Sequence, residues 1–225
     1  MNSSPTAQFL EMEERCFLID CGEGTQVQLR KAKARFSKIN HIFISHLHGD
    51  HCFGLPGLIA SFRLLGRETP LHIYAPKGIK EMLETIFRIT ETHRGFEVVY
   101  HELESKKSEK IYEDHRVEVF TIPLNHRIYC NGYLFREKPK ERHLNMAEIS
   151  KYPEIETCDY HNLKLGKDFV LSDGYILKNE VLTTPPSKPV SYAFCSDTRY
   201  WEEVVAVIEN VDVLYHEATF LHDLK

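Results

Sequence analysis

No two of the six cysteines in this 225-residue chain stand in a CxxC pair. Cys16, Cys21, Cys52, Cys130, Cys158 and Cys195 are scattered singly. That excludes a paired-cysteine zinc framework and reads as small buried hydrophobes in a reducing compartment. No apolar run is long enough to span a bilayer. The opening Met1-Asn2-Ser3-Ser4-Pro5 has neither the charged nor the apolar region of a secretory signal, so the expected location is the cytoplasm. Internal repeats and low-complexity tracts are also missing. Nor is positive charge in excess: 28 basic residues face 33 acidic ones, for a net charge of −5. This argues against a surface built wholly for nucleic acid, although distribution matters more than the sum.

Two things are plentiful. With 42 % apolar residues, the chain can bury a full core as one domain or two tightly fused halves. It also carries thirteen histidines, more than a core needs. Several sit in short polar clusters at the ends of apolar runs. One local charge feature stands out as well. Residues 27–40 hold Arg30, Lys31, Lys33, Arg35 and Lys38 with no acid, either a solvated helix face or a surface for phosphates.

The chain repeats one arrangement, an apolar strand-like run followed by a polar residue able to bind metal. Arg15-Cys16-Phe17-Leu18-Ile19 leads to Asp20, and His41-Ile42-Phe43-Ile44 leads to Ser45-His46. Arg116-Val117-Glu118-Val119-Phe120-Thr121-Ile122 alternates with period two and leads to Asn125-His126. Ser191-Tyr192-Ala193-Phe194-Cys195 leads to Ser196-Asp197, and Val211-Asp212-Val213-Leu214-Tyr215 leads to His216-Glu217. Between them, Leu55, Leu58, Ile59, Phe62 and Leu65 share one helical face, with Pro56 in the first turn and Gly66 as a stop. Ile79, Met82, Leu83, Ile86 and Ile89 mark a second helix, and Val204, Val205 and Ile208 a third. Strands alternating with helices indicate an α/β protein whose strands deliver ligands to one edge.

Residues 136–189 differ. They are polar, hold Pro139, Pro153, Pro185, Pro186 and Pro189, and show only short strand-like pieces. Phe169-Val170-Leu171 and Tyr175-Ile176-Leu177 are joined at Ser172-Asp173-Gly174. The expectation is an inserted arm containing a hairpin, projecting from the main fold.

The strongest signal is Ser45-His46-Leu47-His48-Gly49-Asp50-His51. Three imidazoles and a carboxylate within six positions would burden a core with polar groups needing partners. A turn can aim them at divalent ions instead. Neutral imidazole nitrogens with a carboxylate oxygen suit zinc, with manganese possible. Four ligands in one loop suit two metals better than one, so further ligands must come from elsewhere. His126, Asp197 and His216 are the candidates.

At these residues the chain resembles a known family. His46-Leu47-His48-Gly49-Asp50-His51 followed by Cys52-Phe53-Gly54-Leu55-Pro56-Gly57-Leu58 resembles the metallo-β-lactamase superfamily in its ribonuclease Z form. Asp20-Cys21-Gly22-Glu23-Gly24-Thr25-Gln26, Ser196-Asp197-Thr198-Arg199 and His216-Glu217-Ala218-Thr219-Phe220 resemble further segments of that family, with Ser196 in place of a glycine. The resemblance implies a metallo-β-lactamase-type αββα sandwich. It further implies that His46, His48 and His126 hold one zinc, that Asp50 and His51 hold another, and that Asp197 bridges them. His216 and Glu217 then become supports of the site rather than ligands.

The implied activity is a zinc-dependent endoribonuclease that removes 3′ trailers from tRNA precursors, leaving a 3′-hydroxyl on the tRNA. Asp50 is the residue expected to assist proton transfer to the leaving oxygen. The family's arm grips tRNA and one subunit's arm serves the other's site, which implies a homodimer. Arg136, Lys138, Lys140, Arg142, Lys164 and Lys167 are candidate phosphate contacts in the arm, and Arg30, Lys31 and Lys33 form a second candidate surface.

The family also opens with a strand and glycine-rich turn, and continues after the His216 segment with a histidine-bearing segment and strand that are not in this sequence. The second metal is therefore expected to bind more weakly, with His222 an unsuitable substitute, and the sheets to lose edge strands and a closing helix. Two other readings stay open. One is a different hydrolase of the superfamily, acting on a thioester, lactam or cyclic nucleotide. The other is a non-catalytic tRNA-binding or dimerisation module.

Overall fold

A computed structural model describes residues 5–93 and 95–218, with Phe36 described by its backbone alone. It divides into two compact units, one of residues 1–137 and 190–225 and the other of residues 138–189.

The larger unit is two five-stranded sheets with helices outside each. The first sheet takes β1 (Gln8–Met12), β2 (Arg15–Ile19), β3 (Ile39–Phe43), β4 (Leu71–Pro76) and β5 (Val98–Leu103) in that order. β1 and β2 are an antiparallel hairpin, and β2 to β5 run parallel. Parallel neighbours need crossovers, and helices supply them. These are α1 (Thr25–Lys31), α2 (Gly49–Cys52), α3 (Leu55–Leu64) and α4 (Ile79–Ile89). Of the apolar faces read from the sequence for α3 and α4, Leu55, Leu58, Ile59 and Phe62, then Ile79 and Leu83, are buried, whereas Leu65 and Ile89, at the C-terminal ends where the helices run past the core, are exposed. The buried ones pack on Leu18, Ile42 and Ile73 of the sheet.

The second sheet gathers β6 (Lys110–Glu113), β7 (Val117–Pro123), β8 (Asn131–Glu137), β13 (Ser191–Cys195) and β14 (Val213–His216) in the order β14-β13-β8-β7-β6. Its outer face carries α8 (Glu202–Ile208), which sets Val204 on Ile122, Leu134 and Ala193. The period-two alternation of β7 is what lets one strand serve two cores. Val117 and Val119 face the other sheet, and Ile122 faces the helix side. Between the sheets lie Phe17, Ile19, Phe43 and Tyr74 from one and Val119, Tyr133, Phe135 and Phe194 from the other. The layers are therefore αββα, as the resemblance implied.

Across β3, β4 and β5 three imidazoles form a row. His41 stacks on His72 at 5.0 Å and His72 on His101 at 5.3 Å, with 3.0 Å between His72 Nδ1 and His101 Nε2. His41 Nδ1 is buried without a hydrogen-bond partner.

The smaller unit corrects the expected arm in two respects. Arg136 and Glu137 belong to β8 of the larger unit, so the boundary falls at Lys138. The hairpin is present, as β10 (Phe169–Val170) and β11 (Ile176–Leu177), but contributes only two residues per strand. More of the unit is short helix: α5 (Met146–Ile149), α6 (Tyr160–Lys164) and α7 (Asn179–Leu182). A second pair joins β9 (His143–Leu144) to β12 (Thr183–Thr184). Ile149, Ile155, Leu163, Leu177 and Leu182 make a core of its own. Buried Asn179 donates through Nδ2 to Leu163 O and Lys167 O, so its amide hydrogens are satisfied. Among the described residues no helix is long and apolar enough to cross a membrane.

Candidate metal centre

The histidine loop begins where β3 ends. Ser45 and His46 are fully buried, and His48 turns the chain in an extended conformation into α2, which carries Asp50 and His51. The segment after β2 clamps this loop through backbone bonds. Cys21 N–H donates to His51 O at 2.7 Å and Gly54 N–H to Cys21 O at 2.8 Å. The approach is so close that a Cβ on Gly54 would stand 2.0 Å from Gly22 O, and one on Gly22 would stand 2.2 Å from Asp50 O. Only glycine permits it.

Four side chains converge. His46 Nε2 and His48 Nδ1 are 2.9 Å apart, His48 Nδ1 and His126 Nε2 3.4 Å, and His46 Nε2 and Asp197 Oδ2 3.9 Å. All four ligand atoms fall within 4.8 Å of one another. Three ring nitrogens facing each other cannot satisfy one another by hydrogen bonds alone, since each neutral ring offers one donor and one acceptor. Zinc at 2.0–2.1 Å from tetrahedral nitrogens would space them about 3.3 Å apart, and the observed spacings bracket that value. Burial, with the neighbouring His51, His48 and His126, pushes His46 down to about 2, and burial also lowers His126. Neutral rings are the form that ligates.

A second group adjoins the first. His51 Nε2 lies 3.6 Å from Asp50 Oδ2 and 3.7 Å from Asp197 Oδ1. Asp197 thus turns one oxygen to each group, the arrangement a bridging carboxylate requires. The other side of the His51 ring is held by Asp20, whose Oδ2 is 2.8 Å from Nδ1. Burial alone would lower His51, but the Asp20 hydrogen bond and the charges of Asp20, Asp197 and Asp50 outweigh it and raise the ring.

Asp20 belongs to the site although the sequence marks it only as a polar strand end and as the start of the Asp20-Cys21-Gly22 segment. Fully buried, with a left-handed φ of 57°, it turns its carboxylate back under the loop. It accepts from Ser45 N–H at 2.7 Å and Ser45 Oγ at 2.9 Å. Ser45 Oγ has one proton. Donating it to Asp20, the hydroxyl accepts from His46 Nδ1 at 3.0 Å and from Ser196 Oγ, also at 3.0 Å. Asp20 therefore sets the tautomer of one imidazole in each group, directly for His51 and through Ser45 for His46.

The remaining sequence candidates fall elsewhere. His216 lies inside β14 rather than past it, is exposed, and bonds Glu217 O through Nδ1 at 2.7 Å. It is not in the ligand group. Glu217 N–H donates to Cys195 O at 3.0 Å, just before Ser196-Asp197. Thr219, Phe220 and His222 lie outside the described residues. Arg30, Lys31 and Lys33 are exposed on and after α1. Neighbouring Arg35 pairs with Glu11 at 2.7 Å, so that stretch is less free than its sequence reads.

Several arm cations have partners of their own. Arg142 Nε donates to Thr183 Oγ1, Lys140 to Ser187, Lys167 to Asn162, and Lys164 lies 3.7 Å from Glu141. Arg136 stands over the Phe120 ring, and Lys138 is half-buried.

Comparison with known proteins gives consistent neighbours. A family model described as Anti-Pycsar protein Apyc1 matches residues 3–138. The chain is 47 % identical over 217 residues to a Ribonuclease Z of Bacteroides thetaiotaomicron, covering 96 % of this chain and 68 % of the relative. It is 44 % identical over 219 residues to one of Porphyromonas gingivalis, covering 97 % and 72 %. Among solved structures, human tRNase Z, short form, superposes with a TM-score of 0.65 at 25 % identity, over 98 % of this chain and 76 % of that one. The metallo-beta-lactamase fold protein YhfI from Bacillus subtilis gives a TM-score of 0.58 at 16 % identity, over 99 % and 68 %, and speaks for the fold alone.

Proposed function

The chain belongs to the ribonuclease Z family, and from that premise we propose that it is a zinc-dependent endoribonuclease that trims 3′ trailers from tRNA precursors. The observation that carries the reading is Asp197, with one oxygen facing the His46–His48–His126 cluster and the other facing His51.

In this reading His46, His48 and His126 hold one divalent ion, Asp50 and His51 hold a second, and Asp197 is shared. Such a pair of ions supplies neutralisation of phosphodiester charge and a nucleophile at neutral pH. The donor set of imidazole nitrogens and carboxylate oxygens fits zinc, and also manganese. The chain's own residues do the rest. Asp20 and Ser45 keep ring lone pairs turned inward. Asp50, about two-thirds exposed at the side chain, is the carboxyl within reach of solvent and substrate, and it would relay to the departing 3′ oxygen the proton that the attacking water gives up. The products are a tRNA ending in a 3′-hydroxyl and a trailer with a 5′-phosphate. Residues 138–189 serve as the RNA-gripping arm, and the enzyme works as a cytoplasmic homodimer.

The test is cleavage of a 5′-labelled tRNA precursor by purified chain with zinc or manganese, with product ends mapped. A metal-dependent cut leaving a 3′-hydroxyl supports the proposal. Turnover of a chromogenic phosphodiester with no cut in precursor would instead make the chain a hydrolase of another substrate class. RNA binding without any turnover would make it a binding module.

A further inference from the structure

Arg127 follows His126 directly and is exposed. Its Nη2 lies 2.9 Å from His48 Nε2, the nitrogen on the opposite side of the ring from the ligand cluster. Among the described residues it forms no ion pair with a carboxylate. The backbone beneath it is fixed by the same contacts that fix Asp197: Asn125 N–H donates to Thr198 Oγ1 at 3.1 Å, and Arg199 N–H donates to Asn125 O at 2.8 Å.

A guanidinium offers only donors and keeps its charge. A neutral imidazole that gives Nδ1 to a cation carries its proton on Nε2. On that side it too is a donor, and two donors at this spacing repel. Ligation through His48 Nδ1 and a hydrogen bond from Arg127 to Nε2 therefore exclude each other. With His48 in the ligand role, the guanidinium needs a different acceptor at the mouth of the same cluster. A planar, two-pronged donor suits phosphate oxygens.

We propose that Arg127 is a substrate-binding residue, taking a non-bridging phosphate oxygen of RNA beside the scissile bond. The proposal rests on the endoribonuclease reading above. It gives Arg127 a place at the reacting end of the substrate.

Arg127→Ala and Arg127→Lys in the full chain test it in two arms. The first uses zinc alone, by competition with a chromophoric chelator and without RNA. Arg127→Ala is expected to bind zinc at least as tightly as the unaltered chain. Weaker binding would make the arginine a support of His48 and overturn the proposal. The second arm follows cleavage of precursor by zinc-loaded enzyme. Loss of one charge-assisted bond is expected to raise KM about tenfold with a smaller change in kcat. The slope of log KM against log salt should shrink by about 0.7–0.9, and lysine should restore part of the loss. An unchanged KM and salt slope in Arg127→Ala, with the unaltered chain active, sinks this proposal alone. An unaltered chain that cuts no precursor refutes the endoribonuclease reading, while the zinc arm still decides whether Arg127 competes with or supports His48.

Discussion

His51 Nδ1 lies 2.8 Å from Asp20 Oδ2, and both side chains are buried. The pair crosses from the end of β2 to α2, so a residue 31 positions away fixes which ring nitrogen faces Asp50 and Asp197. Replacing Asp20 by asparagine sets an amide N–H against the His51 and Ser45 donors and favours the other His51 tautomer. Zinc affinity at the His51 position is expected to fall about 10–100-fold, measured by calorimetric titration. Unchanged affinity would show that the pair only fills space.

Asp50→Asn keeps the shape of the side chain but removes the proton carrier proposed above. With saturating zinc, kcat is expected to drop by about 10²–10⁴, while RNA binding measured separately changes little. Full activity would remove Asp50 from proton transfer.

Gly54→Ala puts a methyl against Gly22 O, where the ideal distance is 2.0 Å and the neighbour is backbone. The two segments that form the floor of the centre must separate. A stability loss of about 1–3 kcal/mol and weakened zinc binding are expected together, read by urea unfolding and chelator competition. A variant as stable as the parent, with normal zinc affinity, would contradict the close approach.

Acid sensitivity follows from the imidazole row across β3, β4 and β5. Burial, with the charges of His72 and His101, lowers His41 to about 4, against the opposing pull of Asp114 and with a minor push from Arg67. Burial also lowers His72 and His101. Folded-state values below 6.5 mean that the unfolded chain binds more protons. Stability from these groups is present above pH 6.5 and is lost as pH falls from there towards about 4. Urea midpoints measured with a chelator present should decline across that window, less steeply in His41→Phe. Equal slopes in the two proteins would rule out His41 as a source.

Much of this was legible from the residues. β2, β3, β7 and β13 announce themselves as apolar runs or period-two alternation, and α3 and α4 by their faces. β8 gives no such signal because Asn131 to Phe135 are buried on both sides of a central strand, which removes the alternation. The short helices of residues 138–189 are below the length at which a 3.6-residue period can be seen. The loop from His46 to His51 is dense enough to mark a metal site unaided. The placements of Asp20 and Arg127 are set by tertiary structure: one depends on how β2 meets α2, the other on where the loop after β7 passes His48.

The central claim is a two-ion centre joined by Asp197, and anomalous diffraction from zinc-loaded crystals tests it most directly. One peak is expected among His46 Nε2, His48 Nδ1, His126 Nε2 and Asp197 Oδ2, and a second between Asp197 Oδ1, His51 Nε2 and Asp50. A single peak that leaves His51 and Asp50 without a metal, or a peak away from these residues, would contradict it.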